Sequence, residues 1–168
     1  MKIALLSDTH GYMGPDITDL LQGVDEIWHA GDIGPGPVIE MLEAVAPVRS
    51  VYGNIDTSMI RDKSPLNQLF ELEGLKIFMT HIGGYPGKYT ARVRALIKAE
   101  RPNIYICGHS HILKVMPDHK HDLLHMNPGA CGHHGFHKVR TFLRFDLLAG
   151  EVKNMEVVEL GKRGSIHS

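Results

Sequence analysis

The sequence has little of what marks a secreted, membrane-spanning or polyanion-binding protein. Two cysteines in 168 residues are too few for a disulfide framework and suit a reducing cytoplasm. No run approaches the roughly 18 apolar residues of a membrane span, and the opening charged residue and short strand do not look like a secretory signal. Lys and Arg total 18 against 19 Asp and Glu, so no basic field favours nucleic acid or an anionic membrane.

Two further absences concern organisation and chemistry. No Pro/Gly/Ser-rich stretch divides the chain, so we expect a single domain over residues 1–168, whose 43% hydrophobic content can fill one core. The sequence contains no Gly-x-Ser-x-Gly motif and no reactive-cysteine context. A protein side chain is therefore not expected to act as a nucleophile.

What the sequence does contain is a βαβαβ run followed by a strand-rich half. Apolar segments predict strands at 2–6, 26–29, 48–52, 76–80 and 103–107, and helical spacing predicts helices over 17–24, 38–45 and 87–100. Hairpins are predicted at 67–80, 113–126 and 141–158, with a polar loop at 57–65 and a frayed end at 161–168. A parallel half followed by an antiparallel half predicts an α/β fold with two mixed sheets packed face to face and flanked by helices.

Five short clusters of potential metal ligands follow five of these strands. They are Asp8-Thr9-His10, Gly31-Asp32, Gly53-Asn54-Ile55-Asp56, Thr80-His81 and Gly108-His109-Ser110-His111. Taken singly, a Gly-Asp or Gly-Asn pair could be an ordinary turn, whereas two histidines two residues apart are harder to explain by packing. Their joint occurrence at strand ends predicts one shared centre that holds two divalent ions.

In this order the motifs resemble those of the calcineurin-like metallophosphoesterase superfamily. The chain length and the segment Asn127-Pro128-Gly129-Ala130 are similar to the small YfcE-type phosphodiesterases. The resemblance covers about residues 1–129 and implies a four-layer sandwich, two mixed sheets with helices outside. It also implies two ligand sets that share Asp32: Asp8, His10, Asp32 and His111 for one ion, and Asp32, Asn54, His81 and His109 for the other.

The function implied is hydrolysis of a small phosphoester, in the first place a diester, by in-line attack of a hydroxide bridging the two ions. The resemblance favours Mn²⁺, although the donors also suit Ni²⁺, Co²⁺, Fe and Zn²⁺. A phosphomonoesterase remains an alternative. So does a catalytically silent protein-interaction scaffold on the same fold, for which a retromer subunit is a precedent. The resemblance also suggests a homodimer or homotetramer, but no segment identifies an interface.

The sequence departs from the family pattern after Asn54. The larger family has a histidine there that can protonate the leaving group, whereas this chain has Ile55. Without that acid we expect a preference for acidic leaving groups. Asp56 is then a partner of the ligands or a loop-fixing acceptor, and His29 a satisfied core histidine or a group behind the ligands.

Six other histidines are ambiguous from the sequence alone. The loop residues His133, His134 and His137 could supply an acid or be solvated. In the 113–126 hairpin, His119, His121 and His125 are expected to be exposed or partly exposed.

Overall fold

The structure, a computed structural model, describes residues 1–164. This part of the chain contains ten strands: β1 Lys2–Leu6, β2 Glu26–His29, β3 Val48–Ser50, β4 Asn67–Leu72, β5 Leu75–Thr80, β6 Ile104–Ile106, β7 Lys114–Asp118, β8 Leu123–Asn127, β9 Val139–Leu148 and β10 Glu151–Lys162. Its helices are α1 Pro15–Thr18, extended by a 3₁₀ turn at Asp19–Leu21, α2 Val38–Glu43, α3 Ser58–Arg61 and α4 Ala91–Glu100. No helix in this described range is long and apolar enough to cross a membrane.

The strands form two five-stranded mixed sheets. The first has the order β10-β9-β1-β2-β3, in which β1, β2 and β3 run parallel and β9 and β10 add antiparallel strands. The second has the order β4-β5-β6-β8-β7, in which β5, β6 and β8 are parallel and the edge strands β4 and β7 are antiparallel. The predicted pair of mixed sheets is confirmed.

Alternation along the strands divides the interior into three hydrophobic layers. Ile3 and Leu5 of β1 pack against the second sheet, together with Trp28 and Met79. The intervening residues of β1 face the opposite way and pack against α1 and α2. On the far side of the second sheet, α4 covers the outer face of β5 and β6. Because successive strand side chains point to opposite faces, both sheets bury both faces and the four layers are helix, sheet, sheet and helix.

Several predicted boundaries were wrong. The helix expected over 87–100 begins only at Ala91, because Gly87 has φ +87° and the Thr90 side chain caps the helix by accepting from Val93 N at 3.3 Å. The helix expected over 17–24 ends as a 3₁₀ turn before Gly23, at φ +81°. The strand expected over 48–52 ends at Ser50.

Two segments expected to lack regular structure are partly ordered. The polar loop 57–65 contains the one-turn helix α3. In the end expected to fray, Gly161 and Lys162 continue β10 and pair with Arg140 and Val139 of β9. The rest of that expectation, residues 165–168, lies outside the described residues.

Candidate metal centre

The carboxyl ends of five strands bring the ligand clusters to one edge of the molecule. Asp8 and His10 follow β1, Asp32 follows β2, and Asn54 lies beyond β3, so the first sheet contributes three clusters from parallel strands. His81 follows β5, and the pair His109 and His111 follows β6, the parallel strands of the second sheet. Parallel strands present their carboxyl ends at the same edge, and the two sheets face each other with these edges together.

The side chains at this edge form two groups that could each hold an ion. Within each group the candidate ligand atoms lie within 4.8 Å of one another; the groups are Asp8, His10 and His111, and Asp32, His81 and His109. Asp32 lies between them, because its Oδ2 is 3.6 Å from His10 Nε2 and its Oδ1 is 3.3 Å from His81 Nε2. The structure thus brings together six of the seven predicted ligands in these two groups, and the seventh, Asn54, lies next to His109.

Three buried polar atoms at this edge have no hydrogen-bond partner within residues 1–164: Asp8 Oδ1, His10 Nε2 and His81 Nε2. A buried polar group left unpaired costs about 1–3 kcal/mol. All three atoms belong to the ligand groups, and lone pairs on carboxylate oxygen and imidazole nitrogen are what a divalent transition metal accepts. The residues present therefore fit two such ions.

Hydrogen bonds orient His81 and His111 so that one nitrogen of each ring faces the centre. His81 Nδ1 donates to the Ala30 carbonyl at 2.7 Å, so Nε2 carries the lone pair whenever the ring is neutral. His137 Nε2 donates to the Gly132 carbonyl at 2.9 Å, and burial lowers the pKa of His137, so its Nδ1 is an acceptor. That nitrogen lies 3.2 Å from His111 Nδ1, which must then donate. His111 Nε2 faces Asp8 Oδ1 at 3.1 Å.

The two carboxylates are held in their charged form. Burial opposes ionisation of Asp8, but His10 and His111 outweigh it and hold the pKa of Asp8 far below its ordinary value. Ser7 Oγ at 2.6 Å and His109 N at 3.2 Å both donate to Asp8 Oδ2, which leaves Oδ1 free to face the histidines. Burial likewise opposes ionisation of Asp32, and His81 holds the pKa of Asp32 below its usual value.

The backbone at the ligands adopts an unfavourable conformation. Among the described residues, ten non-glycine positions have positive φ, and five of them are predicted ligands: Asp8, His10, Asp32, His109 and His111. Positive φ is uncommon for side-chain-bearing residues and persists where surrounding structure requires it, often at functional sites. Half of such positions here thus coincide with the predicted ligands.

Glycines next to the ligands allow the loops to approach closely. A Cβ added at Gly53 would lie 2.0 Å from Asp32 Oδ1, and one at Gly31 would lie 2.6 Å from the His81 ring. Both distances are shorter than any normal contact. The glycine before Asn54 and the glycine before Asp32 are therefore required by the packing of one ligand loop against the next.

Asn54 and Ile55 lie at the mouth of the site. Asn54 is exposed, and its Oδ1 is 3.1 Å from His109 Nδ1, so it lies beside the second ligand group. Ile55 donates its backbone N–H to Asp32 Oδ1 at 3.1 Å, while its side chain lines a cavity of about 480 Å³ that opens over the ligands. An aliphatic side chain thus occupies the position where the resemblance expects an acid.

Asp56 and His29 lie behind the ligands. Asp56 accepts from the backbone N–H groups of Ile33, Gly34 and Gly53 at 2.7 to 3.1 Å, so it ties together the loops after β2 and β3. His29 is fully buried; Gly31 N donates to its Nδ1 at 3.1 Å, and its Nε2 lies 3.0 Å from the Thr9 hydroxyl. Burial lowers the pKa of His29 to about 4, so it is a neutral link between two ligand loops.

The three histidines of the loop after β8 lie in three different environments. His133 packs edge-on against Tyr12 and hydrogen-bonds to the carbonyl of Arg163, so its ring contacts these residues and not the ligand groups. His134 is exposed and its ring centroid lies 4.7 Å from that of His10, within the same cavity. His137 contacts His111. The sequence indicated that this loop lies near the site, but no spacing signal could pair His137 with His111.

Comparison with known proteins agrees with this geometry. Residues 1–150 match the calcineurin-like phosphoesterase superfamily domain. A probable metallophosphoesterase of Methanothermobacter thermautotrophicus is 30% identical over 135 residues, which is 77% of this chain and 77% of that protein. The solved structure of a novel archaeal phosphodiesterase aligns with a TM-score of 0.72 and 26% identity, covering 94% of this chain and 100% of that one.

The fold also occurs in Vps29, a protein that is not named as a phosphoesterase. Vps29 of Chaetomium thermophilum aligns with a TM-score of 0.73 over 95% of each chain, but at 17% identity this likeness is one of fold alone. The matched domain and the 30% identical relative carry the family assignment. The chain belongs to the calcineurin-like phosphoesterase superfamily.

Proposed function

We propose that this protein is a metal-dependent phosphodiesterase that acts on a small phosphoester. The observation that carries the proposal is the pair of ligand groups joined through Asp32, in which the buried atoms Asp8 Oδ1, His10 Nε2 and His81 Nε2 form no hydrogen bond in the described part of the chain. Such lone pairs are stabilised when they coordinate cations. Membership of the phosphoesterase superfamily supplies the reaction class.

In this proposal one ion would be held by Asp8, His10 and His111, the other by Asn54, His81 and His109, and Asp32 would contribute to both sets. The chemistry supplied by two divalent ions there would be activation of a water molecule for in-line attack and stabilisation of charge on the phosphoryl oxygens. We propose Mn²⁺ as the native metal, with Ni²⁺, Co²⁺, Fe and Zn²⁺ as alternatives. The donor set supports a divalent transition metal without distinguishing among them.

We propose that the nucleophile is water and not a cysteine of the protein. Burial raises the pKa of Cys107 and of Cys131 to about 12, so both remain thiols at neutral pH. Each thiol is also turned toward a backbone carbonyl: Cys107 Sγ is 3.4 Å from Gly84 O, and Cys131 Sγ is 3.3 Å from Ser7 O. Neither is placed to attack a phosphate.

We favour a diester over a monoester as substrate. The 26% identical neighbour is described as an archaeal phosphodiesterase, and this likeness supports the same specificity here. A phosphomonoesterase remains the enzymatic alternative. The silent scaffold is supported only by the fold likeness to Vps29, whereas the unpartnered ligand atoms support metal binding.

The hydrolysis of chromogenic esters tests this function. We expect metal-loaded protein to hydrolyse bis(4-nitrophenyl) phosphate faster than 4-nitrophenyl phosphate, and Asp32→Asn to lose at least about a hundredfold in kcat/KM. Asp122→Asn, an exposed carboxylate that does not line the cavity over the ligands, is the matched control and keeps wild-type activity. If wild type and Asp32→Asn are equally inactive with every metal, the scaffold alternative gains.

The proposal also covers the type of substrate, the cellular location and the oligomeric state. A net charge of -1 supports a small soluble substrate rather than nucleic acid or a membrane surface. The two unpaired, buried cysteines support a cytoplasmic location. A homodimer or homotetramer stays a prediction from the family resemblance, which light scattering on the purified protein would test.

A further inference from the structure

A second cavity lies directly beside the candidate metal centre. Its volume is about 170 Å³, and Gly108 and His109 form part of its wall, so His109 borders both this cavity and the ligand group that contains Asp32. The separation is small, because His109 and Ser110 line both this cavity and the cavity over the ligands. We call it the Tyr85 cavity, after the tyrosine that borders this cavity but not the metal-centre cavity.

Apolar side chains surround the Tyr85 cavity and are exposed to solvent. Ile82, Tyr85 and Ile112 line it and retain 41%, 38% and 62% of their surface exposed. Single exposed apolar residues need no explanation, but several around one concave site indicate a ligand-binding surface. Ile112 also borders the cavity over the ligands, so the two sites adjoin at this residue.

Two polar groups of the cavity lack a partner that their chemistry would favour. Lys114 Nζ lies 3.8 Å from the centre of the Tyr85 ring, and no carboxylate of residues 1–164 forms a salt bridge with it. His125 also lines the cavity; it is 1% exposed, and its Nδ1 has no hydrogen-bond partner within the described range. The expectation that His125 would be exposed was wrong, because it stacks on Tyr105 with centroids 5.1 Å apart.

The size of the cavity limits what can enter it. An apolar cavity of roughly 150 Å³ accommodates one benzene ring, so about 170 Å³ is matched to a single six-membered ring. A fused two-ring system would extend beyond the walls. The face of an aromatic ring attracts a cation such as Lys114, which a saturated chain does not.

We propose that the Tyr85 cavity binds a single aromatic ring bonded directly through an ester oxygen of the substrate, so that the enzyme prefers aryl phosphoesters. Direct attachment follows from the shared wall, because His109, Ser110 and Ile112 line both cavities and leave no room for a spacer between ring and phosphate. The inference rests on the proposed phosphodiesterase function and adds a substrate class to it. It also agrees with Ile55, because aryl oxygens are acidic leaving groups that need little protonation.

Binding of phosphonates that cannot be hydrolysed tests the proposal. Benzylphosphonate carries CH₂ where phenyl phosphate has its ester oxygen, and ethylphosphonate provides the same head group without a ring. Isothermal titration calorimetry on the metal-loaded protein should show benzylphosphonate binding about tenfold more tightly, as expected for partial burial of one ring. Naphthylmethylphosphonate should bind no more tightly than benzylphosphonate, because its second ring extends beyond the cavity; clearly tighter binding would overturn the match to a single ring.

Two variants distinguish the cavity from general effects. Tyr85→Ala should reduce the preference for benzylphosphonate over ethylphosphonate to about threefold or less. Val115→Ala removes a similarly exposed apolar side chain, 38% against 38% for Tyr85, that does not line this cavity, and it should keep the wild-type ratio.

The outcomes separate this inference from the proposed function. Hydrolysis of diesters with equal affinity for the two phosphonates would overturn the aryl site and leave the phosphodiesterase standing. A ratio unchanged in Tyr85→Ala would also overturn it. A tenfold ratio that falls in Tyr85→Ala, with no hydrolysis under any metal, would support the aryl site and count against the phosphodiesterase.

Discussion

At the scale of single residues, a histidine binds a cation better when the ring nitrogen that faces away from the centre has a hydrogen-bond partner. His81 uses the Ala30 carbonyl for this purpose, whereas His111 uses another histidine, His137, which is anchored in turn on Gly132 O. A partner that accepts from the outer nitrogen fixes the tautomer and makes the inner nitrogen a better ligand. His137 is therefore a positioning residue for His111.

Removing that partner should weaken metal binding. We expect His137→Ala to lower the affinity for Mn²⁺ by about 10- to 100-fold, as measured by calorimetry on the metal-free protein. His137→Gln, whose amide oxygen can accept from His111, should recover part of the affinity. His119→Ala, an exposed histidine of the β7–β8 hairpin, is the control. Unchanged affinity in His137→Ala would show that His111 is oriented by other contacts.

Ile55 determines which leaving groups the site can expel. Its side chain is 42% exposed and lines the cavity over Asp32, so an imidazole fits there without displacing core residues. We expect Ile55→His to raise kcat/KM for alkyl esters by about a hundredfold, a value within the usual range for general-acid catalysis. Phenyl esters with acidic leaving groups should change little.

The slope of rate against leaving-group pKa is the measurement for Ile55→His. It should be steep in the wild type and in the control Ile55→Leu, and flatter in Ile55→His. A flat dependence in the wild type would mean that another acid is present. The exposed His134, next to His10, would then be the first residue to replace.

At the scale of elements, the loops after β2 and β3 are joined by one buried carboxylate. Asp56 accepts three backbone N–H groups, two from the β2 loop and one from Gly53. These loops carry Asp32 and Asn54, so Asp56 sets the distance between two predicted ligands. The close approach of Gly53 to Asp32 depends on the same arrangement.

Loss of Asp56 should destabilise the fold even without metal. We expect Asp56→Ala to lower the free energy of unfolding by at least about 3 kcal/mol, since three N–H donors are left unpaired at about 1 kcal/mol or more each. Urea denaturation in EDTA measures this without a contribution from bound ions. Asp62→Ala, an exposed carboxylate nearby in sequence, should change stability by less than about 0.5 kcal/mol. Equal stability of the two variants would contradict the role assigned to Asp56.

At the scale of the whole molecule, two buried neutral histidines couple folding to pH. Burial lowers the pKa of both His29 and His125 from 6.5 to about 4. The unfolded chain therefore binds more protons than the native protein between these values. The stability that each residue contributes is complete above about pH 6.5 and is lost as the pH falls toward 4.

Replacing His125 should reduce this pH dependence. Between pH 7 and 4.5 we expect the wild type to lose about 2–3 kcal/mol of unfolding free energy through His125 alone. His125→Gln should lack that loss while keeping the contribution of His29 and of the carboxylates. Urea midpoints at both pH values in EDTA provide the measurement. An identical pH dependence in wild type and variant would mean that His125 is protonated in the native state.

The sequence by itself determined the two mixed sheets and the candidate ligands. Strand alternation is a local property that is visible in the order of residues, and the order of ligand clusters after strands implies a common edge. Element ends were less predictable. The start of α4 depends on Thr90 and Gly87. The regular structure of residues 58–61 and 161–162 depends on contacts that local composition does not reveal.

Only the tertiary structure decided which histidine orients His111, how Asp56 joins the loops that carry Asp32 and Asn54, and that His125 is buried beside the Tyr85 cavity. These features join residues from strands of different sheets and from loops far apart in the chain. Periodicity reports which face of its own element a side chain occupies. The partner it meets there depends on how two sheets and their loops pack, which no local pattern contains.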